Sequence, residues 1–151
     1  MTYPYSITLD LYSIPVADPP SKLVAFHAKL QSPLRTKTAT TLICDNIATN
    51  LSNSYDSTTG VFTCPVAGTY CFLATSSPND LDDNKEAALD IVVDDKVMGG
   101  LCSYGYRWST GHCVVKLKAG QRVWLRTVDG EHSFAGNWWT TFSGMLLQPE
   151  K

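Results

Sequence analysis

The sequence predicts an all-β domain of the sandwich or barrel class. Three observations carry that expectation: short apolar runs recur between turn residues, side chains alternate within the runs, and no stretch sustains a helical period over several turns. Thr, Val and Tyr dominate where packing would decide, and they favour a pleated, half-buried surface.

Residues 1–20 contain Pro4, Pro15, Pro19 and Pro20, which fix φ and remove backbone donors, so residues 1–21 are expected as an extended arm. The strand-like runs then follow at Leu23–Leu30, Ala39–Cys44, Gly60–Cys64, Thr69–Thr75, Ala87–Val93, His112–Leu117, Arg122–Val128 and Thr140–Leu147. Within them Tyr70 and Phe72 share one face, and Val123 and Leu125 do likewise, which puts Arg122, Trp124 and Arg126 on the opposite face. Turn residues mark the joints at Ser57–Gly60, Pro65–Gly68, Val93–Lys96, Lys118–Gly120 and Val128–Gly130, the last sited for a hairpin.

The chain has 151 residues, enough for one domain with its own core. With 44% hydrophobic residues it has the apolar material for a packed fold, and 17% charged residues suit a domain that buries surface against copies of itself. Twelve basic residues against fourteen acidic ones, with no basic block, argue against a nucleic-acid partner. No apolar run approaches the ~20 residues that span a bilayer, so membrane insertion is not expected. The first 20 residues lack the basic-then-apolar pattern of a secretory signal, which leaves a mature chain given a new Met or a chain not meant for export.

Five cysteines stand at 44, 64, 71, 102 and 113, without zinc-site spacing. Cys102 and Cys113 flank a polar, glycine-containing segment able to fold back on itself, so a local disulfide is expected there in an oxidising compartment. The competing reading is that several of the five are buried free thiols.

From Asn50 to Phe72 the chain carries a specific pattern: Asn50, Tyr55, Phe62, then Gly68-x-Tyr70-x-Phe72. That pattern resembles the signature of the C1q globular domain family at the family's spacing. Val114 to Leu125, with its turn at Lys118-Ala119-Gly120, looks like the family's penultimate strands, and Thr141 to Leu147 looks like its closing strand. The resemblance spans residues 22–148 and leaves 149–151 as a tail. It implies a jelly-roll sandwich of two antiparallel sheets, the fold of tumour necrosis factor, together with assembly into a compact homotrimer and secretion. The family has aromatic residues where Cys44, Ala74 and Met145 stand here, and the lost volume is expected back from Trp124 or Trp139.

An enzyme is not expected. His27, His112 and His132 are scattered, and there is no Gly-x-Ser-x-Gly elbow or metal-binding His pair. Stalkless members of the family in invertebrates include many secreted lectins, so the resemblance implies carbohydrate binding in innate immune recognition, with N-acetylated sugars as the first class to test. Two segments have the matching chemistry. Ser103–Ser109 offers Tyr104, Tyr106, Arg107 and Trp108, and Asp129–Trp139 offers His132, Asn137 and Trp138: aromatic faces for sugar rings, with directed hydrogen-bonding groups beside them. The structural alternative is that Trp138 or Trp139 lies in a subunit interface and that Tyr104 and Trp108 cover an open core edge. The runner-up function is a cytokine-like or scaffold trimer that binds a protein receptor.

No cofactor is expected. The acidic run Asp80–Glu86 is the one candidate for calcium, which some family members hold near the trimer axis, but it lacks the spaced ligands of a dedicated site and reads as a solvated loop. Asn50-Leu51-Ser52 matches a glycosylation acceptor, although Asn50 is also a signature position.

Overall fold

The computed structural model describes residues 23–79, 85–105 and 107–151; the expected arm at 1–21, most of the acidic loop and Tyr106 lie outside them. The described residues form thirteen strands and no helix. In order these are β1 (Ala25–Lys29), β2 (Leu34–Thr36), β3 (Thr41–Leu42), β4 (Asn46–Leu51), β5 (Tyr55–Asp56), β6 (Val61–Thr63), β7 (Gly68–Ser76), β8 (Glu86–Val93), β9 (Lys96–Tyr104), β10 (Ser109–Leu117), β11 (Arg122–Thr127), β12 (His132–Phe134) and β13 (Thr141–Pro149).

One sheet runs β10-β7-β13-β1-β4 and the other β5-β6-β11-β8-β9, with β3 also paired to β11. A short ribbon joins β2 to β12. The pairings are antiparallel and sequence neighbours repeatedly fall in opposite sheets, which is the jelly-roll arrangement.

The core lies between the two sheets and is built by alternation. Along β7, Tyr70, Phe72 and Ala74 point inward while Thr69, Cys71 and Leu73 point outward. On β11, Val123 and Leu125 are buried, and Arg122, Trp124 and Arg126 take the other face. Phe26 is the hub: it stacks on Tyr55 at 4.6 Å and 5°, and meets Phe142 edge-on at 5.0 Å. Phe62 meets Phe72 edge-on at 5.2 Å. Such offset and edge-on pairs suit the ring quadrupole and add to the area each ring buries.

The volume missing at Cys44 and Ala74 is not restored by Trp124 or Trp139, as Trp124 lies on the outward face of β11 and Trp139 is on the surface. The clustered Phe and Tyr rings fill the space instead. Met145 also faces outward, so its position asks for no core volume.

Two signature residues now have physical reasons. A Cβ on Gly68 would stand 2.4 Å from the Gln148 carbonyl oxygen, so glycine is required there by close approach of β13. The Asn50 amide donates to the Tyr55 carbonyl at 2.8 Å and its oxygen accepts the Tyr55 N–H at 3.2 Å, which closes the loop between β4 and β5. Both arms of the side chain are thereby occupied with the fold.

Two expectations are corrected. Val128–Gly130 does not close a hairpin between its flanking strands: β11 continues the second sheet, whereas β12 pairs with β2. Nor is there a Cys102–Cys113 bridge, because all five cysteines are free thiols. Strand alternation explains it: Cys102 points outward from β9 against the Glu86 carboxylate at 3.0 Å, and Cys113 is turned into the core.

Candidate functional site

The two segments singled out in the sequence meet at one end of the sandwich. The reason is register. β7 is flanked by β10 on one side and β13 on the other, with Ser109 opposite Ser76 and Thr141 opposite Thr75. The residues just before those two strands, Trp108 and Trp139, therefore flank the same end of β7, although roughly 30 positions separate them in the chain. The Trp108 ring lies 4.6 Å from Trp139 and 5.7 Å from Trp138, and Trp138 stacks on Trp139 at 4.7 Å and 21°.

Local backbone chemistry holds this cluster outward. Gly136 crosses residues 31–33 so closely that a Cβ would come within 2.7 Å of the Ser32 carbonyl carbon. Asn137 follows at φ 60, a left-handed conformation that Asn tolerates better than most residues, and its N–H donates to the Gln31 carbonyl at 3.1 Å. The chain is pinned at its turn, and the two indoles that follow are exposed. On the other side Gly105, at φ 58, donates to the Lys85 carbonyl, and the Arg107 N–H donates back to the Tyr104 carbonyl. This turn delivers Trp108 to the start of β10.

Trp108, Trp138 and Trp139 are 56%, 59% and 37% exposed. A contiguous group of exposed indoles is apolar surface left available for something to cover. Beside it opens a cleft of about 260 Å³, lined by Trp139, Pro33, Pro78 and Gly136 and by the exposed amide residues Asn79 and Asn137. The cleft thus pairs apolar walls with a few groups that both donate and accept hydrogen bonds.

Of the candidate ligand-binding residues in the two segments, Trp108, Trp138 and Asn137 come together here. Arg107 is exposed in the adjoining turn. Tyr104 lies on the outward face of β9 beside Cys102 and Glu86, whose proximity raises its phenol above the ordinary value. His132 does not join the cluster. It is 6% exposed, on β12, and belongs to a different pocket toward the other end of the β2–β12 ribbon. Tyr106 lies outside the described residues. Trp139 and Asn79 complete the cleft; Trp139 falls within the expected segment, whereas Asn79 follows β7 with no sequence signal of its own. Among the described residues no group of three His, Cys, Asp or Glu is placed to hold a metal, and Asp80–Asn84 lie outside them. No helix among them is long and apolar enough to cross a membrane.

The outer face of the first sheet carries a second feature. Register places Val114, Cys71, Met145, Ala25 and Leu51 side by side in one row across its five strands. Val114, Met145 and Leu51 are all exposed, so the row is an apolar stripe on a sheet face that no layer of the described residues covers.

Known proteins with related chains agree with this architecture. The chain is 31% identical over 133 residues to human Complement C1q tumor necrosis factor-related protein 3, covering 85% of this chain and 53% of that protein. It is 32% identical over 137 residues to one of the subunits of the human Complement C1q subcomponent, covering 84% and 51%. The chain thus spans about half the length of these curated relatives. Among solved structures, the globular domain of zebrafish Complement 1qA superposes with a TM-score of 0.66 at 16% identity, covering 84% of this chain and 99% of that one. Eiger TNF from S. frugiperda superposes at 0.70 and 14% identity, covering 86% and 96%. At those identities the likeness is one of fold. The family model described as the C1q domain matches residues 25–147, nearly the whole described domain, and the chain is a member of the C1q domain family.

Proposed function

We propose that this C1q-domain chain is a secreted lectin that acts as a homotrimer and recognises carbohydrate, on microbial or other cell surfaces, at the indole cleft. The observation that carries the reading is the contiguous group of three exposed indoles, one of which, Trp139, lines a cleft edged by Asn79 and Asn137. A pyranose ring has apolar C–H faces that stack on indole and hydroxyls that pair with amides. N-acetylated sugars fit the same surface best, since the acetamido methyl suits an aromatic slot and its N–H and C=O match an amide partner. Extracellular residence agrees with kinship to complement C1q proteins.

The apolar row Val114–Cys71–Met145–Ala25–Leu51 supports assembly, with further copies of this chain as its cover. Three copies of one cleft would add avidity toward dense glycans. A cytokine-like trimer that binds a protein receptor is the second reading, favoured by the tumor necrosis factor-related name of one relative and by the frequency of exposed Trp in protein interfaces. A glycan array with competition by free monosaccharide separates the two. The lectin reading requires sugar-specific signal that free sugar displaces, and an array without signal rejects it.

A further inference from the structure

A second groove, of about 560 Å³, shares Pro33 with the indole cleft. The chain leaving β1 forms one wall, because β2 turns away to pair with β12. β3 and the turn between β5 and β6 form the other. That turn is well held: the Asp56 carboxylate accepts the Thr58 N–H at 2.8 Å, and the Gly60 N–H donates to the Asp56 carbonyl at 2.8 Å. Half-buried Leu34 and Ile43 give the groove aliphatic ground, and Ser32, Thr40 and Ser57 bring hydroxyls to it. Among the described residues, its one charged lining group is the exposed carboxylate of Asp45.

The two concavities meet at a strip of backbone tied to both. The Gln31 N–H donates to Asp45 Oδ1 at 2.9 Å, and the Gln31 carbonyl accepts the Asn137 N–H at 3.1 Å. Asp45 belongs to the groove and Asn137 to the cleft. Close packing of Gly136 on Ser32 and Pro33 fixes the strip further, so the exposed Pro33 ring stands as a rigid apolar saddle between them. Size points the same way. At about 260 Å³ the cleft falls short of the ~300–1,000 Å³ of ligand pockets, whereas the groove lies within that range.

We infer that cleft and groove form one extended site for a neutral oligosaccharide of N-acetylated hexosamines, with one ring against Trp139 and later units crossing Pro33 to meet Thr40, Asp45 and Ser57. This rests on the lectin reading of the cleft and adds the length and charge of its ligand. A sugar chain repeats an apolar ring face and a hydroxyl edge along its length, which suits aliphatic ground set among hydroxyls. The Asp45 carboxylate accepts hydrogen bonds from sugar hydroxyls and repels acidic chains.

The test is isothermal titration of the wild-type protein with N-acetylglucosamine and its β-linked dimer, trimer and tetramer, the neutral chitin series. Each added hydrogen bond strengthens binding by about twofold to tenfold, so affinity should rise at least about tenfold from monomer to trimer. That exceeds the statistical gain from several equivalent rings. The Thr40→Ala/Ser57→Ala protein, which loses two surface hydroxyls, should bind the trimer about fivefold more weakly and the monomer as wild type does. A hyaluronan tetrasaccharide, in which the N-acetylated unit alternates with a uronate, should gain nothing over the monomer. Monomer binding without a gain in length, or a double variant that binds the trimer unchanged, overturns the extended site and leaves the cleft standing. Hyaluronan bound more tightly than the neutral tetramer overturns the neutral ligand, and no binding by any member of the series overturns both the groove and the lectin reading on which it rests.

Discussion

Replacing Gly144 by Ala tests the packing of the core at its tightest point. The added methyl would stand 2.5 Å from Phe26 Cε1 and 2.6 Å from Phe72 Cδ1 and Cε1. Carbon atoms in contact prefer ~3.5–4.0 Å, so both rings would have to withdraw by about 1 Å. Neither has room, because Phe26 is stacked on Tyr55 at 4.6 Å and Phe72 is wedged against Phe62 at 5.2 Å. Overpacking of this kind costs ~1–3 kcal/mol, and two pinned rings put Gly144→Ala at about the top of that range. For a domain of this size ~3 kcal/mol corresponds to a fall in Tm of roughly 10 °C. Gly120→Ala is the control: it has nothing within 4 Å of its Cβ, but it sits at φ +89, so its cost is purely conformational at about 1 kcal/mol. Differential scanning calorimetry at one protein concentration compares them. Equal losses in the two variants, or a Gly144→Ala Tm within ~2 °C of wild type, would refute the packing argument.

Three further outcomes follow from the same structure. Burial first, and the Lys29 charge second, hold the His27 imidazole below its ordinary value of 6.5. The folded state thus favours the neutral ring, so this contribution to stability is present above 6.5 and is lost as pH falls; denaturant midpoints at pH ~7.5 and ~5.5 should differ less in His27→Gln than in wild type. Burial pushes the Cys44 thiol up to about 12 and Cys102 is exposed, so timed alkylation with mass mapping should label Cys102 first and Cys44 only on unfolding; early label at Cys44 contradicts the burial. Met145→Asp puts a charge in the middle of the apolar row, so light scattering should show a three-chain mass for wild type and a one-chain mass for the variant with the circular dichroism unchanged; a trimeric variant removes that row from the interface.

The sequence exposed the interior of this fold more fully than its edges. Central strands such as β7 and β11 announce themselves because each must bury one face, which forces alternation at Tyr70, Phe72, Val123 and Leu125. Strands β4 and β9 carry no comparable signal because edge strands bury less: Asn46–Leu51 is almost wholly exposed, and the first half of Lys96–Tyr104 is exposed with two glycines. The tight reversal before β9 was legible, and Asp94 and Asp95 both adopt positive φ there. At the candidate site, local chemistry picked out Trp108 and Trp138 separately, but their meeting depends on β10 and β13 both pairing with β7, a long-range register that no local pattern encodes. The same blindness misplaced His132, which shares a segment with Asn137 and Trp138 but is carried into another pocket by pairing of β12 with β2.

The most direct test of the account is isothermal titration of wild type, Trp108→Ala and Trp138→Ala with N-acetylated sugars selected on the glycan array. Both indoles are more than half exposed, so their removal should leave the fold and the assembly intact and act on the indole group beside the cleft. Loss of one stacked aromatic contact is expected to weaken binding by ~1–3 kcal/mol, roughly fivefold to 150-fold. Sugar binding in wild type that falls by this amount in both variants is the predicted result; wild type that binds no sugar, or variants that bind it unchanged, would contradict the indole cleft as a carbohydrate site.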